Sequence, residues 1–166
     1  NELVKACFDM GEVKTGALIV IEQNIRLSEY ERTGINVDAV LTSQLLINIF
    51  EHNTPLHDGA VLVRGNRIVA ATCYLPLSDN MELSKQLGTR HRAGVGISEV
   101  SDSLTIIVSE ETGLVSVAQD GKLSRGLNSA ELRAALTKAQ NKKVVINSKL
   151  RHLLKGRMKH EEDKAD

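Results

Sequence analysis

The chain has 166 residues and a formal net charge of zero, and both values are typical of one globular domain. Hydrophobic residues make up 42% and charged residues 25% of the sequence, which provides enough apolar material for one core. Aromatic residues make up only 2%, which argues against a stacking platform for single-stranded nucleic acid. We therefore expect no nucleic-acid partner.

Cysteine usage and hydropathy narrow the class of protein further. Cys7 and Cys73 lie in separate apolar stretches without a second pair, so the sequence predicts neither a disulfide scaffold nor a zinc knuckle. No apolar run approaches the roughly 18–20 residues that cross a bilayer, and no signal peptide opens the chain. We expect a soluble, intracellular chain.

The charges are distributed unevenly along the sequence. Residues 1–141 carry 13 basic and 17 acidic residues, whereas residues 142–159 carry seven basic residues and no acidic one. We therefore predict one domain over residues 1–141 and a charged tail over residues 142–166. The tail is interpreted as a solvated segment, with binding to a membrane surface or nucleic acid as the alternative. The net negative domain offers no basic patch that would continue such a surface.

In its first half, the chain alternates helical and strand patterns. Leu3, Val4, Cys7 and Met10 recur at helical spacing, which predicts an opening amphipathic helix. The apolar run 16–22 predicts a buried strand, and residues 28–34 resemble one capped helical turn. A second amphipathic helix over residues 41–50 must end before Pro55, because the residue before a proline avoids the α-helical conformation.

The second half contains several hairpin signals. Strands are predicted over residues 60–64 and 67–73, joined by Gly65 and Asn66. A helix is predicted over residues 89–100, followed by strands over 104–109 and 114–119 and a turn at Asp120 and Gly121. Asn128 and Glu131 form a capping box for a last helix over residues 129–140. Together these elements predict an α/β domain around a central mixed sheet.

Three polar clusters interrupt the apolar framework, and the first is Leu56–Ala60. Asp58, at the entrance to a strand, can accept a proton or bind a hydroxyl, and Gly59 allows a ligand to approach the backbone. His57 is a candidate metal ligand. The alternative is a turn in which Asp58 caps backbone amides.

The other two clusters are Gly88–Gly94 and Ser109–Gly113. Arginines and a histidine at a predicted helix N-terminus are typical of polyphosphate binding, with a solvated basic turn as the alternative. Ser109–Gly113 follows a strand and contains two adjacent acidic residues, which point to different faces of an extended segment, so at most one of them faces a given site. A simple hairpin turn is the alternative there. The sequence contains no Walker phosphate loop, no Gly-x-Gly-x-x-Gly, no Gly-x-Ser-x-Gly and no His-Glu-x-x-His motif.

Taken in order, these clusters resemble the motifs of the diadenylate cyclase domain family. The resemblance rests on Asp58-Gly59-Ala60 and Arg90-His91-Arg92, supported by three further segments over residues 16–20, 74–78 and 109–113. It spans roughly residues 3–136. The family resemblance implies a mixed, slightly barrelled sheet flanked by helices. It also implies the condensation of two ATP into cyclic di-AMP, with release of two pyrophosphates and with Mn²⁺ or Mg²⁺ as cofactor (Co²⁺ as an alternative).

The resemblance also implies roles for individual residues. Asp58 would activate the ribose 3′-hydroxyl and Gly59 would lie against the nucleotide. Glu111 and His57 would supply the metal shell. The phosphates would be held by Gly88, Thr89, Arg90, His91, Arg92 and Ser109, and the adenine pocket would be lined by Leu18, Tyr74 and Leu75. The residues expected to act in catalysis are Asp58, Arg90, His91 and Arg92.

The chemistry of the implied reaction also predicts a homodimer. Each ATP supplies both a 3′-hydroxyl and an α-phosphate, so two sites must face each other. The resemblance is to the cytoplasmic catalytic domain of the membrane-type enzyme, with phosphoglucosamine mutase as a possible regulator in the family. Two other classes of function stay open. The chain could be a nucleotide-binding sensor without turnover, or an adaptor domain whose polar loops only turn the chain.

Overall fold

A computed structural model describes residues 1–84 and 87–141, and the predicted charged tail lies outside the described residues. Within these residues, seven strands are interspersed with five helices. In order, the elements are α1 (Glu2–Glu12), β1 (Ala17–Ile21), α2 (Ser28–Glu31), β2 (Ile35–Val40), α3 (Ser43–Phe50), β3 (Ala60–Arg64), β4 (Arg67–Cys73), α4 (Thr89–Val100), β5 (Leu104–Val108), β6 (Val115–Gln119), β7 (Lys122–Ser124) and α5 (residues 129–141).

The strands form one mixed sheet in the order β2-β4-β3-β1-β5-β6-β7. Only β1 and β3 pair in parallel, and every other neighbouring pair is antiparallel. The mixed α/β architecture predicted from the sequence is confirmed. Within the described residues the sheet is open, since its edge strands β2 and β7 do not pair with each other.

Helices cover both faces of the sheet. Alternate residues of β1 point to two separate cores: Ile19 packs on the side of α1, α3 and α5, and Val20 packs on the side of α4. Because both faces are buried, the central strands read as continuous apolar runs rather than as an alternating pattern. All five residues of β5 are buried for the same reason.

Most of the predicted elements are confirmed, and the capping box is the clearest case. Asn128 Oδ1 accepts hydrogen bonds from the backbone N–H groups of Ala130 and Glu131, and Glu131 Oε2 accepts one from the Asn128 N–H at 2.8 Å. The turn at 28–34 is helical only over Ser28–Glu31 and has no side-chain cap. Glu22 accepts the Leu27 N–H just before this turn instead.

The strand β2 was not predicted. It is an edge strand that pairs antiparallel with β4, and its register shifts between Asn36 and Ala39. Asp38 inside this bulge has a φ of 45°, in the left-handed region. The short, polar and bulged segment therefore lacks the regular pattern on which strand prediction depends.

Helix α4 packs unusually close to the segment that follows β4. A Cβ atom on Gly96 would lie 2.1 Å from the Pro76 carbonyl oxygen, so only glycine permits this approach. The Ser78 N–H also donates to the Arg92 carbonyl at 3.0 Å. Helix and segment are thereby held together, which matters because the segment begins with Tyr74 and Leu75.

No helix of residues 1–84 and 87–141 is both long and apolar enough to cross a bilayer.

We predict that Gly96→Ala lowers the free energy of unfolding by about 3 kcal/mol, because the new methyl group meets backbone atoms that cannot move independently. Gly94→Ala is the matched control on the same helix. There the nearest atoms belong to the buried Ile107 side chain, with Cδ1 at 2.8 Å and Cγ1 at 2.9 Å, and not to backbone. Side chains can shift slightly where backbone cannot, so the expected loss is smaller, about 1 kcal/mol. Urea denaturation measures the free energy of unfolding of both variants. Equal losses, or a stabilised Gly96→Ala variant, would contradict this packing account.

Candidate active site

Four strand ends meet at one edge of the sheet. Because β1 and β3 are parallel, their first residues lie side by side, as the pairing of Ile19 with Val61 indicates. The antiparallel neighbours β5 and β4 end at the same edge, since Val108 pairs with Ala17 and Cys73 pairs with Ala60. The polar clusters that precede β3 and follow β5 are therefore brought together.

A pocket of about 590 Å³ opens at this edge, beneath the N-terminus of α4. Its lining comes from the strand ends, the α4 N-terminus and the turn after β7. The lining residues are Leu18, Asp58, Gly59, Cys73, Tyr74, Leu75, Leu77, Leu87, Gly88, Thr89, Arg90, His91, Ala93, Ser109, Glu110, Glu111, Thr112 and Arg125.

Asp58 and Gly59 form the entrance to β3. The Asp58 carboxylate is exposed and accepts a hydrogen bond from the Gly59 N–H at 3.0 Å. Gly59 has a φ of 94°, and a Cβ there would lie 2.8 Å from the Thr72 carbonyl carbon. Both the positive φ and the close approach of the β4 backbone therefore require glycine at this position. The turn presents the Asp58 carboxylate to the pocket.

Arg90 extends from the first turn of α4 and pairs with Glu110, whose Oε2 lies 2.6 Å from Arg90 Nη1. Gly16, just before β1, makes room for this pair. A Cβ on Gly16 would lie 2.7 Å from Arg90 Nη1 and 3.1 Å from the Glu110 Cβ. The Arg90–Glu110 pair and the N-terminal backbone amides of α4 therefore face the pocket. The N–H groups of the guanidinium and of the helix N-terminus are donors that bind anions, although Glu110 offsets the charge of Arg90.

His91 is buried at the back of the pocket, with 7% of its surface exposed. Burial lowers the pKa of the imidazole, and the nearby positive charge of Arg125 lowers it further, whereas Glu111 acts in the opposite direction. The ring is consequently held in its neutral form at neutral pH.

Ser109 organises the turn after β5. Its Oγ accepts hydrogen bonds from the backbone N–H groups of Glu111 at 3.3 Å and Thr112 at 3.2 Å. A serine hydroxyl has two acceptor lone pairs and one proton. With both lone pairs occupied, Ser109 can only donate to a further ligand, as an acceptor such as a phosphate oxygen requires.

The side of the pocket next to β4 is apolar. Leu18 is buried at the start of β1, and Leu75 packs against the same core. Tyr74 is 75% exposed, although its backbone N–H is held by Thr33 Oγ1 at 2.9 Å. An exposed ring on an anchored backbone, beside two aliphatic side chains, can cover a flat apolar ligand group.

Most of the residues predicted from the motifs line this pocket, but two do not. His57 is directed to its own loop, where Nδ1 lies 2.6 Å from the Thr54 carbonyl oxygen. Arg92 contacts the Ser78 carbonyl at 3.5 Å, next to the segment that carries Tyr74. Two further charged residues, Glu110 and Arg125, line the pocket without having been predicted as site residues. Glu110 belongs to the Ser109–Gly113 cluster, whereas Arg125 belongs to none of the motifs.

The pocket carries a small excess of negative charge. Asp58, Glu110 and Glu111 oppose Arg90 and Arg125, and His91 is neutral. Among the described residues, no group of three His, Cys, Asp or Glu side chains is placed to hold a metal ion alone. Carboxylates suit Mg²⁺ and Mn²⁺, which proteins often hold through one or two carboxylates together with substrate phosphates. The donor set therefore fits a divalent cation shared with a phosphorylated ligand.

Comparison with known proteins agrees with this description. Residues 4–123 match the sequence profile of the DAC family, described as DisA bacterial checkpoint controller nucleotide-binding. The chain is 57% identical over 134 residues to cyclic di-AMP synthase CdaA of Bacillus subtilis, covering 81% of this chain and 49% of that protein. It is 54% identical over 129 residues to a diadenylate cyclase of Listeria monocytogenes, covering 78% of this chain and 47% of that protein. The chain thus spans about half the length of these curated relatives.

A solved structure shares the same fold. A crystal structure of a double mutant of DacA from Staphylococcus aureus superposes with a TM-score of 0.81 at 50% identity, covering 82% of this chain and 91% of that one. With the profile match over most of the described domain, these similarities settle the family. The chain belongs to the DAC family.

Proposed function

We propose that the chain is the catalytic domain of a diadenylate cyclase, which condenses two ATP into cyclic di-AMP and releases two pyrophosphates. The observation that carries the proposal is the convergence of an exposed carboxylate, an arginine at a helix N-terminus and a donating hydroxyl in one pocket with an apolar wall. The relatives named diadenylate cyclase and cyclic di-AMP synthase support it.

The apolar wall is assigned to adenine. Leu18 and Leu75 provide aliphatic surface for one face of the base, and the exposed Tyr74 ring can cover the other. With adenine there, the ribose is assigned to the neighbourhood of Asp58, because Asp58 precedes β3 and β3 lies between β4 and β1 in the sheet.

The triphosphate is assigned to the α4 N-terminus and the turn after β5. Thr89, Arg90 and the amides of the first helical turn offer donors to phosphate oxygens, and Ser109 adds its hydroxyl proton. Neutral His91 can donate from one ring nitrogen without adding charge. These donors stabilise the negative charge that develops on the departing pyrophosphate.

Asp58 is assigned the role of proton acceptor. A ribose 3′-hydroxyl is a poor nucleophile at neutral pH and needs a base in hydrogen-bonding reach. As the 3′-oxygen forms its bond to the α-phosphorus of the other ATP, the proton passes to the Asp58 carboxylate and the bond to pyrophosphate breaks. Two such attacks, one from each nucleotide, close the ring.

We also propose a divalent cation, Mn²⁺ or Mg²⁺ with Co²⁺ as an alternative, held by Glu111 together with phosphate oxygens. When bound, it neutralises phosphate charge that the slightly negative pocket would otherwise repel. His57, the other ligand expected from the family resemblance, is not among the lining residues.

The reaction requires two sites that face each other, so the proposed active unit is a homodimer. Each nucleotide must present its 3′-hydroxyl to the other α-phosphate, and one pocket of about 590 Å³ open at the sheet edge serves one nucleotide. Attachment of the domain to a membrane segment and regulation by phosphoglucosamine mutase, both expected from the resemblance, stay predictions.

We predict that Asp58→Asn abolishes product formation while ATP still binds, because the amide keeps the shape of the carboxylate and cannot take the proton. The measurement is mass spectrometry of the products after incubation with ATP and Mn²⁺, beside a calorimetric titration with ATP. Cyclic di-AMP from the native chain alone is the expected result. ATP binding without product from the native chain would favour a sensor instead.

If the active unit is a dimer, inactive chains should inhibit active chains by pairing with them. When native protein is mixed with a ninefold excess of Asp58→Asn protein at saturating ATP, most native chains have an inactive partner. Cyclic product per native chain should then fall roughly tenfold. The same mass of serum albumin is the control for crowding. Unchanged product per native chain in the mixture would contradict the dimer.

The contact between Gly16 and Arg90 predicts a selective loss of nucleotide affinity. Gly16→Ala displaces the end of a flexible side chain, so we expect ATP binding to weaken about tenfold with the melting temperature nearly unchanged. A double-mutant cycle tests the cause, because in an Arg90→Ala background the Gly16→Ala change should have no further effect. Additive losses in the double variant would show that Gly16 acts by another route.

A further inference from the structure

Arg125 lies at the end of the pocket that is opposite to the proposed adenine subsite. It directly follows β7, whereas Tyr74 follows β4, five positions away in the sheet order. Since β7 runs antiparallel to β6, with Ser124 opposite Val117, the residue after β7 returns to the edge where β5 ends. Sheet register, not sequence proximity, brings Arg125 to the turn that begins with Ser109.

Arg125 differs from Arg90 in its electrostatic surroundings. Arg90 is neutralised by Glu110 at 2.6 Å. Within residues 1–84 and 87–141, the Arg125 guanidinium has no carboxylate within 4.0 Å and no hydrogen-bond acceptor. It is exposed, and both its charge and that of Glu111 act on His91 from the pocket side.

An exposed arginine without a partner is often only solvated, but Arg125 lies in the lining of the pocket. Of the two arginines in the described part of the lining, Arg90 is paired with Glu110 and Arg125 has no acidic partner. The other charged side chains of the pocket carry a net negative charge. A guanidinium binds phosphate oxygens through two parallel N–H groups. The ligand group that reaches this end, with adenine at the other, is the far end of the triphosphate.

We propose that Arg125 binds the terminal phosphates of the nucleotide and makes the pocket selective for a triphosphate over a monophosphate. The proposal rests on the proposed function for the identity of the nucleotide. It assigns the departing pyrophosphate a cation that none of the recognised motifs contains.

The test compares two ligands that cannot react and differ only in their phosphates, 3′-deoxy-ATP and 3′-deoxy-AMP. Dissociation constants are measured by calorimetry for the native chain, Arg125→Gln and Lys122→Gln. Lys122 is the matched control, because it loses the same charge from the same hairpin and does not line the pocket. We expect Arg125→Gln to weaken 3′-deoxy-ATP binding about tenfold, to leave 3′-deoxy-AMP binding unchanged, and Lys122→Gln to change neither.

Three results decide the proposal. Unchanged 3′-deoxy-ATP affinity in Arg125→Gln would overturn it, as would equal weakening of both ligands, which would indicate a structural role. An equal effect of Lys122→Gln would reduce Arg125 to a long-range charge and also overturn it. Failure of the proposed function looks different, because it is measured on product formation. A native chain that binds 3′-deoxy-ATP but forms no cyclic di-AMP from ATP would refute the cyclase and leave the comparison of Arg125 variants intact, whereas a native chain that binds neither nucleotide would refute both. Arg125→Lys should recover part of the lost affinity, because the charge returns without the paired N–H groups.

Discussion

The parallel pairing of β1 with β3 is the constraint on which the rest of the structure depends. Parallel strands cannot be joined by a tight turn, so the chain must cross over between them, and it does so through α2, β2 and α3. The crossover leaves the first residues of both strands at one edge. Their antiparallel neighbours β4 and β5 end there, and the loops at that edge become the pocket.

The two ends of β1 show how differently charge is treated in this fold. At the end away from the pocket, Glu22 is buried but satisfied, accepting hydrogen bonds from Arg64 at 2.7 and 3.0 Å and from the Leu27 N–H. Burial opposes ionisation, yet these bonds lower the pKa of Glu22 on balance. At the pocket end, by contrast, Asp58, Ser109 and Arg125 keep bonding capacity for a ligand. Polar groups at the end of β1 away from the pocket are used to stabilise the sheet, whereas those at the pocket end are available to a ligand.

The sequence predicted most elements because local rules suffice for them: helical spacing in α1 and α3, the hairpin between β3 and β4, and the capping box at Asn128. It did not predict β2, where the bulge at Asp38 breaks the pattern. In the site, motif order was enough to predict that Asp58, Arg90 and Ser109 share a pocket. It could not reveal Arg125, whose place depends on the register of β6 and β7. Nor could it exclude Arg92, which lies about 200° from Arg90 around the helix.

The central claim is that one pocket orders a nucleotide from adenine at β4 to phosphate at β5 and β7. A crystal structure with bound 3′-deoxy-ATP and Mg²⁺ tests it most directly. The account predicts adenine between Leu18 and Tyr74, the ribose beside Asp58, and the triphosphate along the α4 N-terminus toward Ser109. A nucleotide bound in the reverse direction, or outside this pocket, would contradict it.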